Sequence, residues 1–388
     1  MQKTTTTNNS TISTNPLVTA DATTRTFRRL RVSRWAAAAA IALAATPAAF
    51  AQPTFFLSEL PTPAGYETSS PSQINDQGIV VGDSIRGSDR VATLWRGGKA
   101  QVLGKLDKGT YSTAMAVNST GVVVGDGDDG DGRPLGFITS AGKLVNFYSN
   151  NGGNTRPIAI SDTGLVGGYF IKGFDTQWRG GIWKIDPKDA RKSVLTTLPV
   201  LPGGDPVSAW ATSVVFNKNM EAAGYSSNSV ISQHAVFWKN DAAHTIVDLG
   251  LFGNDWTSLA YGLNDLGQVV GESRPPFGSR PVLWQNDAAH TAVELPLLPA
   301  DNYGSAHLIN NAGTIVGYSA YDEPGTWNVS GSKIAVWIGG APYDLNSLVV
   351  QAADGWVITY VASINNLGQM TAIATHNGVT RPVVLNPL

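Results

Sequence analysis

The 388-residue chain holds 42 Gly, 11 Trp and 11 Tyr, has no Cys, and carries only 14% charged residues. Without Cys there is no disulfide scaffold, cysteine zinc site, iron–sulfur cluster or thiol nucleophile. Low charge with 42% apolar residues excludes a disordered chain. Abundant Gly beside many aromatics predicts all-β structure, with turns taking the Gly and strands the aromatics.

Residues 1–24 are rich in Thr, Asn and Ser. A basic stretch with Arg25, Arg28, Arg29, Arg31 and Arg34 follows, then an Ala-rich apolar run from Trp35 that closes on Ala49-Phe50-Ala51. That order predicts a secretory signal cleaved after Ala51, with a long polar extension ahead of it. The Arg28-Arg29 pair leaves general and twin-arginine export both open. The expected organisation is therefore a signal over 1–51 and one folded domain over 52–388, secreted or periplasmic and monomeric. Removing Lys3, the five Arg and Asp21 leaves 21 basic against 28 acidic residues, a formal charge of −7. Such a chain is a poor nucleic-acid binder. No stretch after residue 51 is long and apolar enough to span a membrane.

From residue 74 one phrase recurs seven times: an apolar residue, Asn, two polar residues, Gly, and a Val-rich run ending in Gly. Its Asn position falls at Asn75, Asn118, Ser161 (a substitution), Asn217, Asn264, Asn310 and Asn365, at spacings of 43 to 56 residues. A literal duplication, Asn-Asp-Ala-Ala-His-Thr, stands at 240–245 and 286–291. The phrase reads as a hairpin, in which Asn makes an Asx-turn and Gly supplies the positive φ. A third strand ends at Trp95, Phe137, Trp183, Trp238, Trp284, Trp337 or Leu385, and a fourth follows a short turn. Seven four-stranded units predict a seven-bladed β-propeller. A β-solenoid is the competing reading, but its coils are shorter and more uniform. The strand at 55–60 has no partners of its own, and pairing it with 381–385 would complete blade seven and close the ring.

The Asn-x-x-Gly-x-Val-Val-Gly phrase, with His234-Ala235-Val236-Phe237-Trp238 and Asp248-Leu249-Gly250, resembles the HAF extracellular repeat of secreted bacterial proteins. The resemblance covers nearly all of residues 54–388. It departs from the pattern at Ser161, at Met220 in place of the turn Gly, and at Ala372 in place of the second Gly. It implies an extracytoplasmic location and no catalytic motif.

In a propeller the loops from strand four to the next strand one share a face with those from strand two to strand three. Each four-to-one loop carries an aromatic: Tyr66, Tyr111, Tyr148, Trp210, Trp256, Tyr303 and Trp356. Four residues before the third-strand terminus stand Arg133, Arg179, His234, Arg280, Lys333 and Arg381. Together these rings predict a face that stacks on sugar or peptide planes, chiefly through Trp210, Trp256 and Trp356, and pairs with carboxylates through Arg179, Arg280 and Arg381. The competing reading gives the aromatics to inter-blade packing and the cations to loop carbonyls. Asp126, Asp128, Asp129 and Asp131, between Gly125 and Gly132, resemble a structural calcium loop. The alternative there is a solvated acidic loop, and no other cofactor is expected.

No Ser/His/Asp order, HExxH or Gly-rich phosphate loop appears. His307 could face the channel, and the acids Asp205, Glu272, Asp301 and Asp322 have no distinguishing context. Nothing positive marks an enzyme. The sequence is best read as a binding module for an extracellular glycan or peptide. A polysaccharide hydrolase or lyase using loop acids, and a scaffold for protein partners, are the alternatives.

Overall fold

The structure, a computed structural model, describes residues 53–147, 154–171, 178–202, 211–227, 233–323 and 329–388. The repeating phrase folds by one local mechanism. In blade one Asn75 Oδ1 accepts the N–H groups of Gln77 (3.0 Å) and Ile79 (2.9 Å). Gly78 at φ +71° lets the chain reverse. In blade four Met220 takes that left-handed position at φ +58°. The duplicated hexapeptide is also a turn device: Asp241 and Asp287 each accept two backbone N–H groups, and His244 and His290 adopt φ +46° and +47°.

Seven four-stranded antiparallel sheets result, a seven-bladed β-propeller with almost no helix. Blade one runs Thr68–Ile74, Val80–Arg86, Asp89–Arg96 and Lys99–Gly104. Blades two to six repeat that order, beginning at Ser112, Thr155, Ala211, Thr257 and Tyr303. Blade seven takes Val357–Ile364, Met370–His376 and Val379–Pro387, and its fourth strand is Phe55–Glu59, with Leu57 opposite Leu385.

The Asn that turns each hairpin also ties it to its neighbour. Asn75 Nδ2 donates to the carbonyl of Asn118 in blade two (2.8 Å), and Asn118 to Ser161 (3.2 Å). Asn217 reaches Asn264, Asn264 reaches Asn310, Asn310 reaches Asn365 (each 3.1 Å), and Asn365 returns to Asn75 (3.0 Å). Ser161 has no amide to give, so the chain of Asn bonds breaks between blades three and four.

The second Gly of the phrase answers to backbone crowding. Each first strand bulges opposite it, for example between Ala260 and Gly262. A Cβ on Gly82, Gly125, Gly271 or Gly317 would lie 1.9–2.0 Å from the facing carbonyl oxygen. The core is divided by blade interface. Buried Trp95 packs with Val384 of blade seven, Trp284 with Ala223 and Phe237 of blade four, and Trp337 with Val270 of blade five. Each large third-strand side chain thus leans back on the preceding blade. Trp95, Trp238 and Trp337 also donate their indole N–H to Pro61, Pro199 and Pro296, in the incoming loop (2.6–2.8 Å).

Candidate functional site

First strands of neighbouring blades contact one another around the axis, so residues at their ends border the channel. At the hairpin end the channel is laced across. Lys218 Nζ pairs with Asp76 on the far side of the ring and lies 4.0 Å from Asp265. Asn366 Nδ2 reaches both carboxylates, and Asn311 Nδ2 bonds Asp265 at 2.9 Å.

The opposite end, where the four-to-one and two-to-three loops emerge, holds a cavity of about 800 Å³. Tyr169, Tyr261, His307, Tyr318, Tyr360 and Lys333 are among its lining residues. Rings from blades five and six form a row. Tyr261 stacks on His307 (4.8 Å, 13°), His307 meets Tyr318 (5.4 Å, 44°), and Tyr318 stacks on Tyr303 (6.0 Å, 24°). His307 Nε2 is buried without a hydrogen-bond partner. Burial lowers the pKa of its imidazole, against an opposing pull from Glu272, so the ring is held neutral and keeps one donor and one acceptor nitrogen.

Buried Glu272 organises this wall. It accepts from Tyr261 Oη (2.8 Å) and Ser279 Oγ (2.7 Å), and it pairs with Arg274. Burial, then the Glu272 charge, raises the Tyr261 and Tyr318 hydroxyl pKa values, so both phenols stay protonated. Arg274 is pulled down by burial but more than restored by Glu272, and its pKa ends raised.

The residue after the second Gly is the hidden variable of the repeat. It is Asp83, Asp126, Tyr169, Tyr225, Glu272, Tyr318 and Ile373 in blades one to seven. Each of its three acids holds an arginine: Asp83 with Arg90 (3.5 Å), Asp126 with Arg156 (3.9 Å), and Glu272 with Arg274. Burial, with the nearby Asp126 charge, pushes Asp83 up to about 6 despite Arg90. Protonation of Asp83 therefore stabilises the fold fully below about pH 4, and that stabilisation is lost as pH rises through about 6. Asp83→Asn is expected to raise stability at pH 8 by on the order of 2 kcal/mol and to have no such effect at pH 4. Thermal melts across that range check this; a constant difference would exclude titration of Asp83 as the cause.

The residues anticipated from the sequence divide between this cavity and the outer rim. Tyr303 joins the aromatic row, and Lys333 lines the cavity, its Nζ at 3.2 Å from Asp301. Tyr111 Oη donates to Asp126 (3.2 Å), and burial pushes its pKa up to about 12. Trp356 stacks flat on His376 (4.5 Å, 4°), whereas Trp256 is 65% exposed on the loop face. Trp210, Tyr148 and Asp205 lie outside the described residues.

The third-strand cations face acids of their own. His234 pairs with Asp248 (3.0 Å), Arg280 with Asp255 and Glu294 (3.5 Å each), and Arg381 with Glu59 (3.3 Å). Asp248, Glu294 and Glu59 are fourth-strand residues, so this ring largely staples outer strands together. Arg179 is the second residue of the third strand of blade three, Trp178–Lys184, and stands opposite Phe170.

The Asp-rich loop is dispersed among separate partners. Asp126 faces Tyr111 and Arg156, Asp128 accepts from Thr110 Oγ1 (2.8 Å) and Tyr111 N (3.1 Å), and Asp129 and Asp131 turn to Arg133 (2.9 and 3.7 Å). Among the described residues no group of three or more His, Asp or Glu is placed to hold a metal ion. Glu272 is a buried strand residue rather than a loop acid, Asp301 is tied to Lys333 and Ser319, and Asp322 ends the second strand of blade six.

Sequence reasoning did not single out Tyr261, Tyr318, Arg156 or Arg274. Aligning the seven copies one residue past the second Gly would have exposed Tyr318 among three acids and three Tyr; Tyr261, Arg156 and Arg274 lie at other positions and have no such signal. No protein-family model matches the chain, and no curated protein matches it in sequence. Among solved structures it is similar to the β-propeller domain of the Trilobed protease from Pyrococcus furiosus, whose description reports an open velcro topology. That likeness has a TM-score of 0.52 at 8% identity over 82% of this chain and 95% of the other, which is a likeness of fold.

Proposed function

We propose that the protein is an exported binding module that takes a glycan or peptide into the aromatic cavity at the loop end of its channel. The signal-like order of residues 25–51 and the resemblance to HAF repeats support export. The observation that carries the site is the Tyr261–His307–Tyr318 row with an unpartnered His307 Nε2 in a cavity of about 800 Å³. Flat faces with few, fixed polar groups suit a ligand that stacks and is then oriented by one or two hydrogen bonds. Glu272 and Asp301 are each committed to a cation and to hydroxyls, which favours binding over acid–base chemistry by those two acids.

A glycan and peptide array screened with residues 52–388 tests this reading. Tyr318→Ala is expected to weaken the retained ligand at least ten-fold, about 1.4 kcal/mol, because Tyr318 lines the cavity and holds the row between His307 and Tyr303, while Trp356→Ala, outside the cavity lining, changes it less. Unchanged binding by Tyr318→Ala would place the site elsewhere.

A further inference from the structure

We infer that the ligand of this cavity is an acidic polysaccharide, held by stacking of its sugar rings and by its carboxylates; this rests on the cavity being the binding site. The charges around the cavity are sorted by depth. Lys333 lines it; Arg156 stands directly opposite the lining residue Tyr169; Arg274 shares Glu272 with the lining residue Tyr261. The side chains of these cations are 40%, 53% and 45% exposed, whereas those of their partners Asp301, Asp126 and Glu272 are 5%, 5% and 1% exposed. Cations thus face solvent and the balancing acids lie behind them. The fold bears a formal charge of −7 after residue 51, yet in these three pairs the exposed member is the cation, so an anion approaching the cavity meets the cations first.

The pairing also leaves donors available. Arg156 comes closest to Asp126 through Nε, at 3.9 Å, and Arg274 comes closest to Glu272 through Nη2. Each guanidinium keeps nitrogens that can fork onto a carboxylate. Asp344, the carboxylate among the lining residues, accepts the Asn346 N–H and caps the short helix Leu345–Leu348. The aromatic lining decides for a sugar chain over an acidic peptide. Beside the row, the Tyr360 ring lines the same cavity and is 60% exposed, a platform for the C–H face of a pyranose ring.

Titration calorimetry with polygalacturonate, its fully methyl-esterified form, alginate and poly-glutamate tests the inference, since esterification removes charge and keeps the backbone. The wild-type protein is expected to bind polygalacturonate or alginate at least ten-fold more tightly than the ester, and more weakly as salt rises. Arg156→Gln is expected to weaken acid binding about ten-fold and leave the ester unchanged. Arg274→Lys, which keeps a cation beside Glu272 should the neutral variant fail to fold, is expected to do the same in part. Ester bound as tightly as acid, with both lost in Tyr318→Ala, would overturn the charge assignment while leaving the cavity as the site. Poly-glutamate bound as tightly as polygalacturonate would overturn the sugar assignment. Retained acid binding in both Tyr318→Ala and Arg156→Gln would overturn the cavity as well. No binding of either acidic polysaccharide would overturn the inference outright.

Discussion

Gly271→Ala is expected to destabilise the propeller by about 3–4 kcal/mol, more than an ordinary overpacked site. The added Cβ would stand 1.9 Å from the Leu259 carbonyl oxygen and 2.9 Å from Ala260 Cα, both backbone atoms that cannot swing aside. Relief requires parting the first and second strands of blade five, which breaks the register around the bulge at Ala260. Blade seven provides the internal control. Ala372 occupies the same place, and the strand facing it bulges twice, at Ile358/Tyr360 and at Val361/Ser363. We attribute the room for its methyl group to the extra bulge. Ala372→Gly is therefore expected to cost about 1 kcal/mol, chiefly chain entropy and a small void. Denaturant melts of both variants check the pair, and equal costs would show that the second Gly serves something other than clearance.

Asn264→Ala is expected to cost about 2–3 kcal/mol. The side chain is buried and fully used: Oδ1 accepts from Leu266 N and Gln268 N, while Nδ2 donates to Asn310 O in blade six and to Gln268 Oε1. Its removal leaves buried backbone groups without partners, and that is the expensive part. Ser161→Asn is the converse. It would supply the missing amide between blades three and four and is expected to add about 1 kcal/mol. A destabilised Ser161→Asn, or an Asn264→Ala variant as stable as the parent, would refute a role for these amides in holding neighbouring blades together.

Much of the architecture could be read from the repeated phrase because its chemistry is local. An Asn that caps its own hairpin and a Gly at positive φ need only four residues to act, so strand number and blade number follow from counting copies. The second Gly was visible but its reason was not, since the clash involves a carbonyl on the partner strand, and the bulge that places it there has no residue signature. The site was less legible for the same reason. Arg133, Arg280, Lys333 and Arg381 recur at a fixed offset and stand out, yet most of them answer acids such as Asp129, Glu294 and Glu59. Arg156 and Tyr169 look unrelated until the register sets them opposite each other. Glu272 reads as an ordinary acid until burial gives it Tyr261, Ser279 and Arg274. Side chains that gather at a channel mouth from separate blades have no common sequence spacing to betray them.

Hydrogen–deuterium exchange of the full folded domain, with and without a polysaccharide that it retains, addresses the cavity directly. Ligand-induced protection is expected in Thr257–Leu263, Tyr303–Ile309, Ile315–Asp322 and Val357–Ile364, the strands that carry the aromatic wall. The Asn hairpins at the opposite end should show no change. Protection confined to those hairpins or to the outer fourth strands would contradict binding at the loop-face cavity.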